Sequence, residues 1–385
     1  MKTFLCKLLL FVLPAAILFY PVLCSGEMAN GGIVAVLQHV YNIPIIYGPL
    51  YSETQYQYYK AAATQIREPE VLVIGDSRSL QIHDFFFKED VNMYNAGYCA
   101  ITTADIQYFL ETCKGTSSVN TVIFPLSHFS FNENYQDVFY PDHNKYSDYK
   151  EGVGSTFSQV VHRLYEDIQK GTLTLADYYG IIKNTNAVGL NAKFNGNGIL
   201  NSGAYYYGKT YSEEDNHDST YRIQDTLTRI KNANMRFEHG ETASPSAIYY
   251  LREFLNYCEE NEIYVISYAP PYAPSVNHAM EAKGEAYGYQ EEMLRLVPEI
   301  FAEYSNAEFF DYTDISFLGC NDDYFIDGFH GGDVAFTRMF VDMISKGSRL
   351  KDLCDINALR EYDRNRYSDL VLFSGVEEYI KQGRY

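Results

Sequence analysis

The sequence predicts an α/β fold in which a parallel β-sheet is covered by helices on both faces. Short apolar segments alternate with amphipathic helical patterns along much of the chain, and this alternation is typical of parallel sheets. The chain has 385 residues, of which 46% are hydrophobic and 21% are charged, so it can bury a full core. We therefore expect one large domain, interrupted by an insertion.

Apolar segments are predicted to form the strands, and the amphipathic segments around them the helices. The predicted strands are residues 71–75, 91–97, 120–127, 263–272 and 307–313. The predicted helices are residues 78–86, 103–113, 245–262, 288–304 and 331–347. The segment 245–262 shows the helical pattern, because a proline opens it and its apolar residues share one stripe, namely Ile248, Leu251, Phe254, Leu255 and Cys258.

The N-terminal residues 1–27 are predicted to be a signal anchor or a signal peptide. Residues 8–26 carry no charge, follow two lysines and are just long enough to span a bilayer. An uncleaved anchor would attach the protein to the cell membrane and leave the rest of the chain outside the cytoplasm. Cleavage and secretion are the alternative, because Pro14 and Pro21 weaken a spanning helix and small residues follow them.

The rest of the chain divides into four kinds of segment. Residues 28–68 are predicted to be a membrane-proximal segment, because they are too aromatic to be a free linker. Residues 69–127 and 245–345 carry the strand and helix patterns of the α/β domain. Residues 128–244 are predicted to be an inserted lid or subdomain, and residues 346–385 a C-terminal tail that packs outside the domain.

The insertion contains one amphipathic helical pattern, residues 155–170, and a stretch rich in Asn, Gly and Tyr, residues 186–221. Tyrosine rings stack on sugar rings and asparagine side chains bind hydroxyl groups, so this stretch is a candidate lid that binds a glycan. A structural cap over the sheet is an equal alternative.

Charge and cysteine content exclude several classes of ligand. The net charge of −20 argues against nucleic acid as a partner, because phosphate binding needs clustered Lys and Arg. The seven cysteines form no Cys-x-x-Cys pair, and the histidines are not clustered at metal-ligand spacing. We therefore predict no metal site and no other cofactor.

A serine at the end of the first predicted strand is the first candidate for chemistry. Ser77 follows the apolar run 71–75, where a strand-to-helix turn would expose a side chain beside free backbone amides. A serine needs a base and an orienter to become a nucleophile. Asp327 and His330 lie just before the last predicted helix, and a carboxylate three residues ahead of an imidazole can reach back to its ring. Asp76 is predicted to tie the turn through backbone amides.

In this order, Gly-Asp-Ser and Asp-x-x-His resemble the SGNH (GDSL-type) hydrolase superfamily. The resemblance implies a flavodoxin-like three-layer fold with a parallel central sheet and a large insertion. It also implies a catalytic triad with Ser77 as nucleophile, His330 as base and Asp327 as orienter. The amides of Ser77 and Gly97 would then form the oxyanion hole.

The resemblance covers residues 71–127 and 245–345, and it departs from the family pattern at the third motif. The family normally has Gly-x-Asn-Asp after the third strand, whereas this chain has Phe-Pro-Leu-Ser-His-Phe-Ser. The asparagine that would donate to the oxyanion is absent, and Ser127 or His128 stands near its place. Loss of one such donor costs about a hundredfold or more in rate.

With the predicted membrane anchor, this departure resembles the SGNH branch that partners membrane-bound O-acyltransferases in surface-polysaccharide acylation. The resemblance implies a serine acyltransferase or esterase, a surface glycan as acceptor and a multi-spanning acyltransferase as partner. A secreted carbohydrate acetyl esterase is one alternative, and a non-catalytic glycan-binding or assembly protein with the same fold is another. Arg78 is a candidate for binding a carboxylate or phosphate of the substrate, or else a helix-surface arginine paired with an acid.

Overall fold

The computed structural model describes residues 2–52, 54–135, 157–181, 186–211 and 219–383, and for residues 2–11, 14, 15, 54, 219 and 220 it describes the backbone alone. The strands are β1 (Ile46–Tyr47), β2 (Val71–Gly75), β3 (Met93–Gly97), β4 (Thr121–Pro125), β5 (Ala187–Val188), β6 (Asn197–Ile199), β7 (Tyr205–Tyr207), β8 (Tyr264–Ala269) and β9 (Ala307–Asp311). The helices are α1 (Lys2–Ser25), α2 (Gly31–His39), α3 (Thr54–Arg67), α4 (Thr103–Thr112), α5 (Phe157–Lys170), α6 (Leu175–Gly180), α7 (Leu190–Asn195), α8 (Gly208–Tyr211), α9 (Ser219–Asn232), α10 (Pro245–Glu260), α11 (Pro274–Glu281), α12 (Gly288–Phe301), α13 (Asp333–Ser345), α14 (Leu350–Leu353), α15 (Ile356–Arg364) and α16 (Val376–Gln382).

A five-stranded sheet forms the centre of the fold, with the strand order β3-β2-β4-β8-β9. Each neighbouring pair in this sheet is parallel. Its order, numbered along the five strands as 2-1-3-4-5, is that of flavodoxin-like doubly wound folds. The predicted α/β class with a parallel sheet is therefore confirmed; β2 has the predicted bounds, and the other four predicted strands are present but shorter.

Helices cover both faces of this sheet because its strands are apolar on both sides. On β2, Val71 and Val73 pack into one core cluster, whereas Leu72 and Ile74 pack into the other. The first cluster takes residues from α11 and α13, and the second from α3, α4, α10 and α12. The sheet is thus the middle of three layers, and the carboxyl ends of β2, β4 and β8 point to one edge.

The helix predicted over residues 78–86 is wrong. Two short 3-10 turns, Ser77–Ser79 and Asp84–Phe86, stand in its place. The side-chain amide of Asn95 on β3 donates to the carbonyls of Ser79 and Ile82, at 2.8 and 2.9 Å. Those carbonyls would have to accept from amides four residues later in an α-helix, so the asparagine holds the segment in turns.

The predicted membrane-proximal segment, residues 28–68, packs into the α/β domain. Tyr59 of α3 is fully buried in the same core cluster as Leu72 and Tyr94 of the central sheet. The uncharged residues around β1 also enter a second, four-stranded sheet with the order β5-β1-β6-β7. Because three of its strands come from the predicted insertion, this sheet joins the N-terminal segment to the insertion.

Most of the described tyrosines in the stretch 186–221 are buried, although Tyr221 on α9 is 75% exposed. Tyr205 and Tyr206 of β7 are each about 95% buried, at 5% and 6% exposure. The tyrosine-rich stretch is therefore largely structural where it is described; residues 212–218 of that stretch lie outside the described residues.

The C-terminal tail also packs into the core, where the sequence predicted that it would lie outside. Leu359 of α15 and Tyr379 of α16 are at most 1% exposed, and both belong to the cluster that covers one face of the central sheet. Their apolar side chains are spaced among charged residues, which hides the pattern in the sequence. At the other end of the chain, no helix that the structure describes is both long and apolar enough to cross a membrane.

Candidate active site

Three side chains from distant parts of the chain form a continuous hydrogen-bonded series at the edge of the central sheet. The Oγ atom of Ser77 lies 2.7 Å from Nε2 of His330. The Nδ1 atom of His330 lies 2.8 Å from Oδ2 and 3.0 Å from Oδ1 of Asp327. Because the carboxylate can only accept, Nδ1 carries the proton and Nε2 accepts from the serine hydroxyl. The predicted proximity of these three residues is therefore observed.

The turn that carries Ser77 is tied by Asp76, as predicted. One carboxylate oxygen of Asp76 accepts from the amide of Arg78 at 2.8 Å, and the other accepts from the hydroxyl of Ser127 at 2.7 Å. Gly75 has a φ of +148°, and a Cβ atom there would lie 2.7 Å from Cδ of Pro125. The serine therefore leaves β2 on a turn that only glycine fits.

A tight loop holds Asp327 and His330 together. Oδ1 of Asp327 accepts from the amides of Phe329 and His330, at 3.0 and 2.8 Å, and the chain reverses at Gly328, whose φ is +80°. Burial alone would raise the pKa of the Asp327 carboxyl, but the adjacent imidazole and the two amides lower that pKa to about 2. Asp327 is thus ionised at neutral pH.

The predicted oxyanion donor Gly97 is not available in this structure. Its amide donates to Oδ1 of Asn95 at 2.8 Å. A Cβ atom at Gly97 would lie 2.7 Å from both Leu80 Cδ2 and Ser79 Oγ, so the glycine is required for close packing of the turn on β3. The amide of Ser77, the other predicted oxyanion donor, is the first of the 3-10 turn Ser77–Ser79. Amides at the start of such a turn have no hydrogen-bond acceptor within it.

The two residues that stand near the missing asparagine also have other partners. The hydroxyl of Ser127 is buried and donates to Asp76, as described above. His128 is fully buried, with its Nε2 atom 2.7 Å from Oγ1 of Thr313 and its ring 5.0 Å from the ring of Tyr272. Burial and the charge of Arg78 hold the pKa of His128 well below its usual range, so this ring is neutral.

Arg78 is not a surface arginine paired with an acid. It is 2% exposed, and its Nη2 atom donates to the carbonyls of Pro270 and Pro271. Its guanidinium plane lies 4.4 Å from the ring centre of Tyr272 and 4.5 Å from that of Phe329. Since Phe329 precedes His330, Arg78 joins the turn that carries Ser77 to the loop that carries His330.

Residues of the insertion form one wall of the site, and no motif in the sequence singles them out. The ring of Tyr207 lies 6.4 Å from the ring of His330. Burial, Tyr98 and Asp327 keep the pKa of the Tyr207 phenol well above its usual value, so the phenol stays neutral. The hydroxyl of Thr226 on α9 donates to the carbonyl of Asp327. Ser77 itself is only 7% exposed.

Asn95 is the residue of the site that sequence reasoning missed. It is fully buried on β3, where it holds Ser79, Ile82 and Gly97 through three hydrogen bonds. Its one signal in the sequence is a polar amide in the middle of an apolar strand, which must find partners when buried.

Other possible sites lie away from these residues. A cavity of 1180 Å³ is lined by acidic side chains, among them Glu241, Glu281 and Asp311, and it does not include Ser77 or His330. Within the described ranges, no group of three or more His, Cys, Asp or Glu residues could hold a metal ion.

The chain matches no protein-family model, and its sequence has no significant match among curated proteins.

Proposed function

We propose that this protein is a serine acyltransferase or esterase of the SGNH type that acts on cell-surface polysaccharide outside the cytoplasm, attached to the membrane by residues 8–26. The observation that carries the catalytic part is the hydrogen-bonded series from Ser77 through His330 to Asp327. The strand order and the position of Ser77 beyond the carboxyl end of β2 support the SGNH assignment, because doubly wound sheets bind ligands at that edge.

The geometry supports a two-step acyl transfer. Oγ of Ser77 attacks the acyl carbonyl of the donor while Nε2 of His330 takes the hydroxyl proton. The ionised Asp327 stabilises the imidazolium, which then gives its proton to the departing alcohol. The acyl-serine ester that remains is attacked by an acceptor hydroxyl, whose proton passes to His330, and Ser77 is restored.

Whether the acceptor is a sugar hydroxyl or water decides between transferase and esterase. Ser77 is nearly buried, and Tyr207 from the insertion stands beside His330. A site that excludes water favours transfer to a bound acceptor over hydrolysis. We therefore favour a transferase with a surface glycan as acceptor and a membrane-bound O-acyltransferase as the donor-side partner, and keep the secreted acetyl esterase as the alternative.

A non-catalytic glycan-binding or assembly role is the second candidate, and the oxyanion side of the site favours it. The amide of Gly97 is bound by Asn95, and the hydroxyl of Ser127 is bound by Asp76. A protein with this arrangement has fewer donors for a tetrahedral oxyanion than the family pattern supplies, and would catalyse slowly or not at all.

Labelling with a serine-directed fluorophosphonate distinguishes these functions. The full chain, purified in detergent, is incubated with the probe and, separately, with p-nitrophenyl acetate, and is followed by intact mass and absorbance. Labelling with one burst of nitrophenol and little turnover supports a transferase, and steady turnover supports an esterase. An unlabelled wild-type protein would reject the catalytic proposal and favour the binding role.

Matched variants show whether the signal comes from this site. Ser77→Ala should lose the label completely, whereas Ser246→Ala, at an exposed position of α10, should keep it. His330→Gln should lower the labelling rate by several orders of magnitude. His278→Gln, which removes an exposed histidine paired with Glu281, should leave that rate unchanged.

A further inference from the structure

The helix α2 has an apolar face that nothing in the described part of the chain covers. Its opposite face, including Val34 and Ala35, is buried against α3. The uncovered side chains share the spacing of one helical stripe and continue into the residues after the helix. They are Ile33 (61% exposed), Val36 (37%), Val40 (56%), Tyr41 (68%) and Ile43 (39%).

The orientation of this face is fixed. A Cβ atom at Gly31 would lie 2.9 Å from both the Gln55 carbonyl oxygen and Tyr59 Cβ, so α2 approaches α3 as closely as backbone allows. The side-chain amide of Gln38 donates to the carbonyl of Ile45 at 2.6 Å, and its oxygen accepts from the hydroxyl of Tyr59. The apolar stripe cannot turn inward without breaking these contacts.

The chain around this face lacks the charges that a water-exposed surface normally carries. Glu27 is the single charged residue between Lys7 and Glu53, and it is fully buried. Its carboxylate accepts from the amides of Tyr51 and Leu190, at 2.6 and 2.7 Å. The junction between α1 and α2 is therefore held against the domain. Helix α2 begins only a few residues after the uncharged run, residues 8–26, ends.

The exposed side chains of α1 are also apolar where they are described. Ile17, Leu18 and Leu23 are 54%, 49% and 59% exposed. Apolar exposure thus occurs on both α1 and α2, in a segment whose one charged side chain, Glu27, is buried, whereas the whole chain has a net charge of −20. Exposed apolar side chains grouped in this way on an otherwise acidic protein mark a contact with another apolar phase.

We propose that α2 lies in the interface of a lipid bilayer, with Ile33, Val36 and Val40 in the acyl-chain boundary and Tyr41 at the headgroup level. This inference rests on the membrane attachment in the proposed function and adds to it a second, folded contact. The bilayer, and not a partner protein, is the occupant because the face is uncharged and follows the predicted anchor within a few residues of chain. Such a contact would fix the domain, and the site at Ser77, relative to the membrane.

The absence of tryptophan from the chain makes a direct test possible. Single substitutions give full-length proteins with one tryptophan each: Ile33→Trp on α2, Leu18→Trp on α1 and Tyr249→Trp at a position of α10 that is 56% exposed. Each is reconstituted in phosphatidylcholine vesicles with or without bromine on the acyl chains, and quenching is measured. Val40→Trp, on the same stripe, repeats the test should Ile33→Trp fail to fold.

We expect severalfold quenching by brominated lipid and blue-shifted emission for Ile33→Trp, at a depth of about 5–10 Å. Tyr249→Trp should be unquenched, which controls for the affinity of tryptophan itself for membrane interfaces. Zwitterionic vesicles should suffice, and added salt should not weaken the quenching, because the face carries no charge.

Three outcomes would overturn the inference. Quenching of Leu18→Trp without quenching of Ile33→Trp rejects the α2 contact but leaves the membrane attachment in place. Blue-shifted but unquenched emission from Ile33→Trp shows that protein covers the face. If neither is quenched, both the α2 contact and the membrane attachment are wrong, whereas fluorophosphonate labelling of Ser77 would still decide the catalytic proposal separately.

Discussion

The Nε2 atom of His330 lies 2.7 Å from Oγ of Ser77, although 253 positions separate the two residues in the chain. The turn after β2 supplies the serine and the loop before α13 supplies the histidine. Two elements far apart in the chain meet at one edge of the sheet, and a contact of this length is what proton transfer between them requires.

Asp327→Asn should lower the rate of fluorophosphonate labelling by about 10³–10⁴-fold. The asparagine keeps the imidazole of His330 in place, but its amide can stabilise the tautomer in which Nε2 carries the proton and cannot accept from Ser77. The change is measured as the second-order rate constant of labelling at pH 7. Asp323→Asn, at an exposed position of the preceding turn, is the control and should label at the wild-type rate. Equal rates for the two variants would show that Asp327 does not orient the histidine.

The same substitution should alter stability in acid. The pKa of Asp327 falls from an ordinary 3.8 to about 2 in the folded protein, so folding favours the ionised form. That contribution is present above about pH 4 and is lost as the pH falls toward 2. Solvent screens part of it, because the side chain is 37% exposed. Urea midpoints should therefore fall less steeply between pH 4 and 2 for Asp327→Asn than for wild type; parallel curves would contradict this.

Arg78→Lys should slow labelling by about 10- to 100-fold, through displacement of the serine turn from the His330 loop. Lysine keeps the charge, but it cannot stack a planar group between Tyr272 and Phe329. The labelling rate is measured beside the thermal midpoint. Arg338→Lys is the matched control, because Arg338 also stacks on a ring, that of Tyr324, and binds carbonyls away from the site. It should lose stability without slowing labelling; if both variants slow alike, Arg78 has no positioning role.

The positions of Ser77, Asp327 and His330 could be predicted because parallel strands end at a common edge, so residues just after a strand or just before the last predicted helix, α13, meet there. The hydrogen-bond partners of individual polar atoms could not be predicted. Gly97 matched a family motif, yet its amide is bound by Asn95 two residues earlier. The side chain of Asn95 thus competes with an oxyanion for the Gly97 amide. Only the packing of β3 against the serine turn reveals this, because the spacing of the residues in the sequence does not depend on it.

Packing of the chain ends was also beyond the sequence. The residues after Ser348 mix charged and apolar side chains, which predicts a surface segment by composition. Tyr379 is nevertheless buried, and its hydroxyl donates a hydrogen bond to the carboxylate of Asp333. Long-range contacts of this kind depend on which distant segments pack together in the fold. The hydrophobic periodicity of one segment does not specify its packing partner.

Tyr379→Phe should destabilise the protein by about 1.5–3 kcal/mol, because it removes a donor to a buried carboxyl group while keeping the ring. Asp333 is fully buried and accepts from Tyr379, Tyr211 and His83. The loss is measured from urea unfolding, with Tyr249→Phe, at an exposed tyrosine, as the control. An equal midpoint for the two variants would show that Asp333 needs no third partner.

Glu27→Gln should destabilise the domain by about 1–3 kcal/mol, because the amide nitrogen of glutamine would face a backbone amide that now donates to a carboxylate oxygen. Oε1 of Glu27 accepts from Tyr51, and Oε2 accepts from Leu190 at the start of α7, so the side chain ties the end of α1 to the insertion. The urea midpoint is compared with that of Glu259→Gln, at an exposed position of α10. If Glu27 merely ended the uncharged run, the two midpoints would agree; a lower midpoint for Glu27→Gln alone identifies it as the residue that fastens the N-terminal helices to the fold.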